Sequence, residues 1–131
     1  MNVTRWLMLA VLGLAFQASA AGKDMIFTAH VGADGKVLRQ WPEWISHVER
    51  EVQANYFTQY KLKLNPHIVH QAPGFCSVSS IDVSSYDRQM HGQAKVIGKP
   101  LVEHLSVMTQ LVDMKSASAD NSLEFLVLCV R

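Results

Sequence analysis

The chain contains two cysteines, Cys76 and Cys129, and a bond between them would constrain its fold more than any other feature. Two cysteines permit a single intramolecular pairing, and an even cysteine count in an exported protein is typical of a disulfide. Closing a loop of 53 positions stabilises a fold by about 4 kcal/mol in the chain-entropy model. We therefore predict a Cys76–Cys129 disulfide. The alternatives are an intermolecular bond and free thiols.

The first twenty residues have the layout of a bacterial secretory signal peptide. Arg5 gives a positive start, the uncharged apolar run 6–16 follows, and Ala18 and Ala20 are the small residues that a signal peptidase reads. The run is shorter than the roughly 20 residues that a membrane-spanning helix needs, so a retained membrane anchor is the less favoured interpretation. We expect residues 1–20 to be removed and residues 21–131 to form one exported domain, periplasmic or secreted.

The charges of the chain are balanced. It has 12 Lys plus Arg and 11 Asp plus Glu, and removing Arg5 with the signal peptide makes the two counts equal. A neutral surface lacks the basic footprint that binds nucleic acid or an anionic membrane. We therefore expect no nucleic-acid partner, and no second apolar run is long enough to anchor the mature chain in a membrane.

Residues near the start of the mature chain predict a hairpin followed by a helix. The β-branched and apolar runs 25–31 and 36–40 flank an Asp-Gly pair, whose glycine supplies the positive φ of a tight turn. Beyond them Pro42 suits a first helical turn, and apolar residues recur at a helical spacing. These apolar residues are Trp41, Ile45, Val48, Val52 and Tyr56. The pattern predicts a helix over 42–57.

The remaining residues predict three further strands and one ambiguous element. Alternation indicates a half-exposed strand at 59–65 and an edge strand at 75–85, and the apolar run 123–130 is typical of a central strand. The stretch 100–115 fits both a helical period and a period of two, with the helix favoured. The predicted fold is therefore α+β: a mostly antiparallel sheet with one or two helices packed on one face, and one disulfide.

His67 and His70 are the candidate catalytic residues. Side chains three positions apart share the face of a helix, but prolines on both sides of this stretch oppose a helix here. The two imidazoles could converge only across a turn, and the predicted disulfide consumes the nearby Cys76 thiol. Because a metal site needs three or four converging ligands, we expect neither a metal nor another cofactor.

Trp44 and Phe57 are candidate binding residues, because they lie beside or off the predicted helical stripe and aromatic side chains anchor protein interfaces.

The sequence has no G-x-S-x-G or S-x-x-K pattern that would single out a nucleophilic serine, which favours a function other than catalysis. The leading hypothesis is a small exported, disulfide-bonded module acting by protein–protein contact. Such a module could be an inhibitor or immunity-type protein, or an accessory subunit of an envelope or secretion assembly. The alternatives are a small periplasmic hydrolase using histidine acid/base chemistry and a metal carrier.

Overall fold

The computed structural model describes residues 25–54, 56–81, 92–111 and 120–131. Within these ranges the chain forms two antiparallel four-stranded sheets and no helix. The strands are β1 Ile26–Val31, β2 Val37–Trp41, β3 Ile45–Gln53, β4 Phe57–Leu64, β5 Phe75–Ile81, β6 Gly92–Ile97, β7 His104–Leu111 and β8 Glu124–Val130. Among the described residues, no helix is long and apolar enough to cross a membrane. The predicted signal peptide lies outside the described residues.

Sheet A has the strand order β2-β1-β8-β5, and sheet B has the order β3-β4-β7-β6. Hairpins join β1 to β2 in sheet A and β3 to β4 and β6 to β7 in sheet B. The first crossover between the sheets passes through Trp41 and Pro42, whose peptide bond is cis. Strand β8 pairs with β1 on one side and with β5 on the other. It is therefore a central strand, as its apolar run predicts.

The two sheets pack face to face around one apolar core. Tyr60 of sheet B meets Phe125 of sheet A edge-to-face, with ring centroids 5.0 Å apart. Burial of apolar surface is the main term that stabilises such a sandwich. The other buried members of the core are Phe27, Ala29, Val31, Trp44, Ile45, Leu62, Leu64, Val69, Leu105, Val107, Val127 and Cys129.

The helix predicted over 42–57 is wrong, because β3 occupies this segment as an edge strand of sheet B. Three of the four intervals between the apolar residues that suggested the helix are four positions long, and a spacing of four also keeps two side chains on the same side of a strand. The remaining interval, from Ile45 to Val48, is three positions long and contains a register shift of β3. Val48 and Val52 accordingly share one side of β3. Since an edge strand buries little of its length, polar residues such as Arg50 interrupt the alternation that would have indicated a strand.

The helix favoured over 100–115 is also wrong, because β7 occupies its central part. The buried residues of β7 alternate as Leu105, Val107 and Thr109. Glu103, which interrupts this period of two in the sequence, lies just before β7, whereas the polar Thr109 fits the period. The Thr109 hydroxyl donates a hydrogen bond to the Asn121 carbonyl oxygen at 2.7 Å, which allows it to be buried. The described residues are thus all β instead of α+β, and a second sheet covers sheet A where helices were expected.

The predicted hairpin and the predicted disulfide are both confirmed. Gly35 of the Asp-Gly pair has a φ of 89° in the turn between β1 and β2. Cys76 and Cys129 are directly opposite each other on β5 and β8, with Cα atoms 4.1 Å apart, and form the disulfide. The bond therefore ties an edge strand to a central strand of sheet A.

Candidate binding surface

Sheet A has one buried side and one solvent-facing side, and both are rich in apolar residues. Because successive residues of a strand point to opposite sides, the buried Phe125 and Val127 of β8 alternate with the exposed Leu126 and Leu128. We call the solvent-facing side the apolar face. Its residues are Ile26, Thr28 and His30 of β1, Arg39 and Trp41 of β2, Phe75, Ser77 and Ser79 of β5, and Leu126, Leu128 and Val130 of β8.

The strand register arranges these side chains in rows across the sheet. One row runs Trp41, Thr28, Leu128, Ser77, and the next runs Arg39, His30, Leu126, Ser79. Residues directly opposite each other in an antiparallel sheet have Cβ atoms about 4.5–5.5 Å apart, so their side chains touch. The apolar face is therefore one continuous surface that extends from the indole of β2 to the serines of β5.

Its large apolar side chains are strongly exposed. Trp41 is 76% exposed, Phe75 59% and Ile26 58%, and the two leucines of β8 are exposed to 40% or more. A shallow depression of about 850 Å³ lies over the two rows. Single exposed apolar residues are ordinary, but a contiguous group of them marks an interaction site.

Sheet B has the opposite character on its solvent-facing side. Lys61 stands opposite Glu49 there, and Lys95 is exposed on the edge strand β6. The Gln93 side-chain amide donates a hydrogen bond to Gln110 Oε1 at 2.9 Å. An antiparallel sheet with one side on the core normally carries polar residues on the other side. Sheet B follows that rule and sheet A departs from it.

The charges of the apolar face are unequally matched. His30 Nε2 hydrogen-bonds to Glu124 Oε1 across β1 and β8, and both side chains are largely shielded from solvent. Arg39 stands opposite His30 on β2 and is exposed. Arg39 makes no ion pair within the described part of the chain. The face therefore presents an uncompensated guanidinium two residues from Trp41.

The candidate catalytic histidines lie elsewhere, in the segment between β4 and β5. His67 and His70 are both exposed. The His67 backbone N–H donates to Asn65 Oδ1 at 3.0 Å, which is a local turn contact. Neither imidazole makes a hydrogen bond to another described residue. The described residues also contain no group of three or more His, Cys, Asp or Glu that could hold a metal ion.

The candidate binding aromatics are not brought together on the surface. Trp44 is fully buried, its indole N–H donates to the Thr28 carbonyl oxygen at 2.9 Å, and its ring lies 5.4 Å from that of Phe27. Phe57 is half-buried beside Tyr56, with ring centroids 4.8 Å apart. The aromatic residue that the structure exposes most is instead Trp41, which the predicted helical stripe had placed in the core.

Sequence reasoning missed the apolar face, although two signals for it were present. The run 36–40 was predicted as a strand, and a period of two continued by one residue puts Trp41 on the same side as Arg39. The run 123–130 has apolar residues at nearly every position, so whichever side of that strand faces the core, the other side also carries leucines. Neither signal identifies which side a second sheet covers.

The His30–Glu124 pair resembles a base with its orienting carboxylate, and such a pair would need a nucleophile nearby to act in hydrolysis. Ser79 shares a row with His30, but Leu126 of β8 stands between them. Strands lie about 4.8 Å apart, so two intervals separate the serine and the imidazole by about 10 Å. Activation of a hydroxyl requires a base within about 3 Å. This pair and Ser79 therefore do not form a serine hydrolase site in the described part of the chain.

No protein-family model, curated protein or solved structure matches the chain.

Proposed function

We propose that the protein is a small exported binding module that holds another protein against the apolar face of sheet A. The observation that carries this proposal is the contrast between the two sheets. Sheet B carries charged and amide side chains toward solvent, and sheet A carries Trp41, Phe75 and two leucines. The same chain thus contains an ordinary solvated face and a face that a partner would cover.

The energetics of protein interfaces support this choice. Interfaces draw most of their binding free energy from a few buried residues, in which Trp, Tyr and Arg are enriched. The apolar face offers Trp41 and Arg39 next to each other on one side of β2. Contacts with leucines around such an anchor exclude water, and each apolar side chain that becomes buried contributes about 1.5–3 kcal/mol.

The scaffold supports a binding role because the face is built on regular strands. The disulfide joins β5 to β8 beneath the leucines, and β8 is paired on both sides. A surface held by strand pairing loses less conformational entropy on binding than a surface built from loops. An inhibitor, an immunity-type protein or an accessory subunit of an envelope or secretion assembly would each use a preorganised surface of this kind.

The experiment is a capture from the periplasm of the organism that encodes the protein. The full-length gene is expressed with export, so that the bait is processed and oxidised by the cell. Wild-type bait is compared with Trp41→Ala and with Tyr56→Ala, because Tyr56 is an exposed aromatic residue outside the apolar face and is 62% exposed.

We expect a stoichiometric partner with wild type and with Tyr56→Ala, and its loss with Trp41→Ala. A wild-type bait that retains no stoichiometric partner contradicts the proposal. So does a partner that Trp41→Ala retains as well as wild type does.

A further inference from the structure

We infer that the partner of the apolar face presents an Asp or Glu carboxylate among apolar side chains, and that Arg39 receives this carboxylate. The inference rests on the proposed function and specifies the chemistry of the partner. It follows from the charges of the face, from the spacing of Arg39 and Trp41, and from the carboxylates that the face of a second copy could supply.

The unpaired charge of Arg39 determines which partner can cover the face. His30 and Glu124 are engaged with each other by a direct hydrogen bond, whereas Arg39 has no ionic partner among the described residues. A partner that covered Trp41 would also remove water from the neighbouring guanidinium. Burying an unpaired cation is costly, while a guanidinium meets a carboxylate through two parallel N–H···O bonds. With an acidic partner, the cost of burying an unpaired cation is replaced by the favourable free energy of a guanidinium–carboxylate pair.

The charges of the face disfavour a second copy of the chain as the occupant. Among the described residues, the carboxylate on this side of sheet A is that of Glu124, and it is already engaged by His30. Two apolar faces brought together would bury two Arg39 side chains, and the described part of the face would supply no free carboxylate to meet them. The charge pattern thus favours a different protein over self-association.

The positions of Arg39 and Trp41 determine the spacing of the groups that they recognise. Arg39 and Trp41 lie on the same side of β2, two positions apart, which is about 7 Å along a strand. The partner's carboxylate and the apolar side chain that packs on the indole should therefore be separated by a similar distance. Residues two apart in an extended segment meet this condition.

The test uses a library of random ten-residue peptides displayed on phage and selected against the exported, oxidised protein. Parallel selections use Arg39→Glu and Trp41→Ala. A fourth selection uses Lys95→Glu, a matched charge reversal on the solvent-facing side of sheet B.

From the wild type we expect peptides with Asp or Glu two positions from an aromatic or aliphatic residue, and from Lys95→Glu the same peptides. Arg39→Glu should enrich Lys or Arg at the acidic position, and Trp41→Ala should abolish enrichment.

A selected peptide is then synthesised with Glu and with Gln at the acidic position. We expect the Gln peptide to bind wild type about tenfold more weakly, because it forfeits the charge-assisted pair, and to bind Arg39→Glu no worse than the Glu peptide does. Enriched peptides that depend on Trp41 but show no preference for acid would overturn this inference and leave the proposed function standing. Enrichment that Trp41→Ala does not reduce would overturn both. A wild-type dimer in sedimentation equilibrium that Trp41→Ala dissociates would replace the acidic partner with a second copy.

Discussion

Trp41 and Trp44 lie three residues apart on opposite sides of the wall formed by sheet A. Trp41 ends β2 with its indole on the apolar face, 76% exposed, whereas Trp44 has no exposed surface. The Trp44 indole N–H is bonded to the Thr28 carbonyl oxygen at 2.9 Å, and Thr28 is also the residue opposite Trp41 in the register. One short segment therefore supplies both an anchor of the core and the main exposed aromatic residue of the surface.

This arrangement predicts opposite effects of the two alanine substitutions. Trp44→Ala should lower the free energy of unfolding by about 3–5 kcal/mol, because it empties a fully buried site. Trp41→Ala should change it by less than about 0.5 kcal/mol, as is usual for an exposed side chain. Urea unfolding monitored by circular dichroism measures both changes in the free energy of unfolding. Similar destabilisation by the two variants would show that Trp41 is packed and not available for binding.

Fluorescence quenching offers an independent check on the same pair. In the processed chain, Trp44→Phe leaves Trp41 as the single tryptophan and Trp41→Phe leaves Trp44. We expect iodide to quench the Trp41 emission strongly and the Trp44 emission weakly, because iodide remains in water. Addition of a peptide that binds the apolar face should protect Trp41 alone. Equal quenching of the two single-tryptophan proteins would contradict the assignment of the faces.

The disulfide should contribute a large part of the stability. Cys76→Ala/Cys129→Ala opens a loop of 53 positions, which corresponds to about 4 kcal/mol in the chain-entropy model. Alanine is chosen because Cys129 is fully buried and a serine hydroxyl there would add a separate desolvation cost. Urea unfolding of the double variant should match that of reduced wild type. An unchanged unfolding midpoint after reduction would show that the cross-link contributes little.

The correct sequence predictions share a physical cause, which is that neither required knowledge of how distant strands pair. The Asp34-Gly35 turn needs a residue that tolerates positive φ, and the cysteines had one intramolecular pairing available. Strands β3 and β7 depended on distant partners instead. A spacing of four suits a strand as well as a helix, and the interior Thr109 became acceptable only through the Asn121 carbonyl oxygen, which no local pattern reveals.

The candidate surface was harder to predict than the fold, for a related reason. Which side of a strand faces solvent depends on where the second sheet packs. The apolar spacing predicts a helix over residues that belong to that second sheet. Trp41 was therefore counted in a buried stripe and Trp44 outside it, the reverse of their burial in the structure. The composition of β8 indicated two apolar sides, but only the register with β1, β2 and β5 shows that the exposed side continues across the whole sheet.

The turn between β1 and β2 should be sensitive to the loss of its glycine. Gly35 has a φ of 89°, and a Cβ added there would lie 3.4 Å from the Arg50 Cβ. Gly35→Ala should destabilise the protein by about 1–2 kcal/mol, since a side chain is disfavoured in the left-handed region.

Gly98→Ala is the matched control for this turn, because Gly98 has a φ of 70° and an added Cβ would meet no atom within 4 Å. The φ of Gly35 lies farther than that of Gly98 from the left-handed optimum near 57°, so Gly35→Ala should be the more destabilising of the two in thermal unfolding. A neutral Gly35→Ala would mean that the turn relaxes to another conformation.

Tyr60 should make stability depend on alkaline pH. Its hydroxyl donates to the Ala33 carbonyl oxygen at 2.6 Å, and burial raises the pKa of Tyr60 above its ordinary value of 10.0, with the Ser122 and Thr109 hydroxyls acting in the opposite direction. The folded state therefore holds this proton more tightly than the unfolded state does. Between the unfolded and the folded pKa the unfolded chain binds fewer protons, so the free energy of unfolding falls as pH rises above about 10.

Tyr60→Phe should cost about 1–2 kcal/mol at pH 7 through the lost hydrogen bond, and its deficit relative to wild type should shrink above pH 10. Urea unfolding of both proteins from pH 7 to 11 measures this difference and cancels the titration of the lysines, which both share. A constant difference across that range would show that Tyr60 ionises equally in both states.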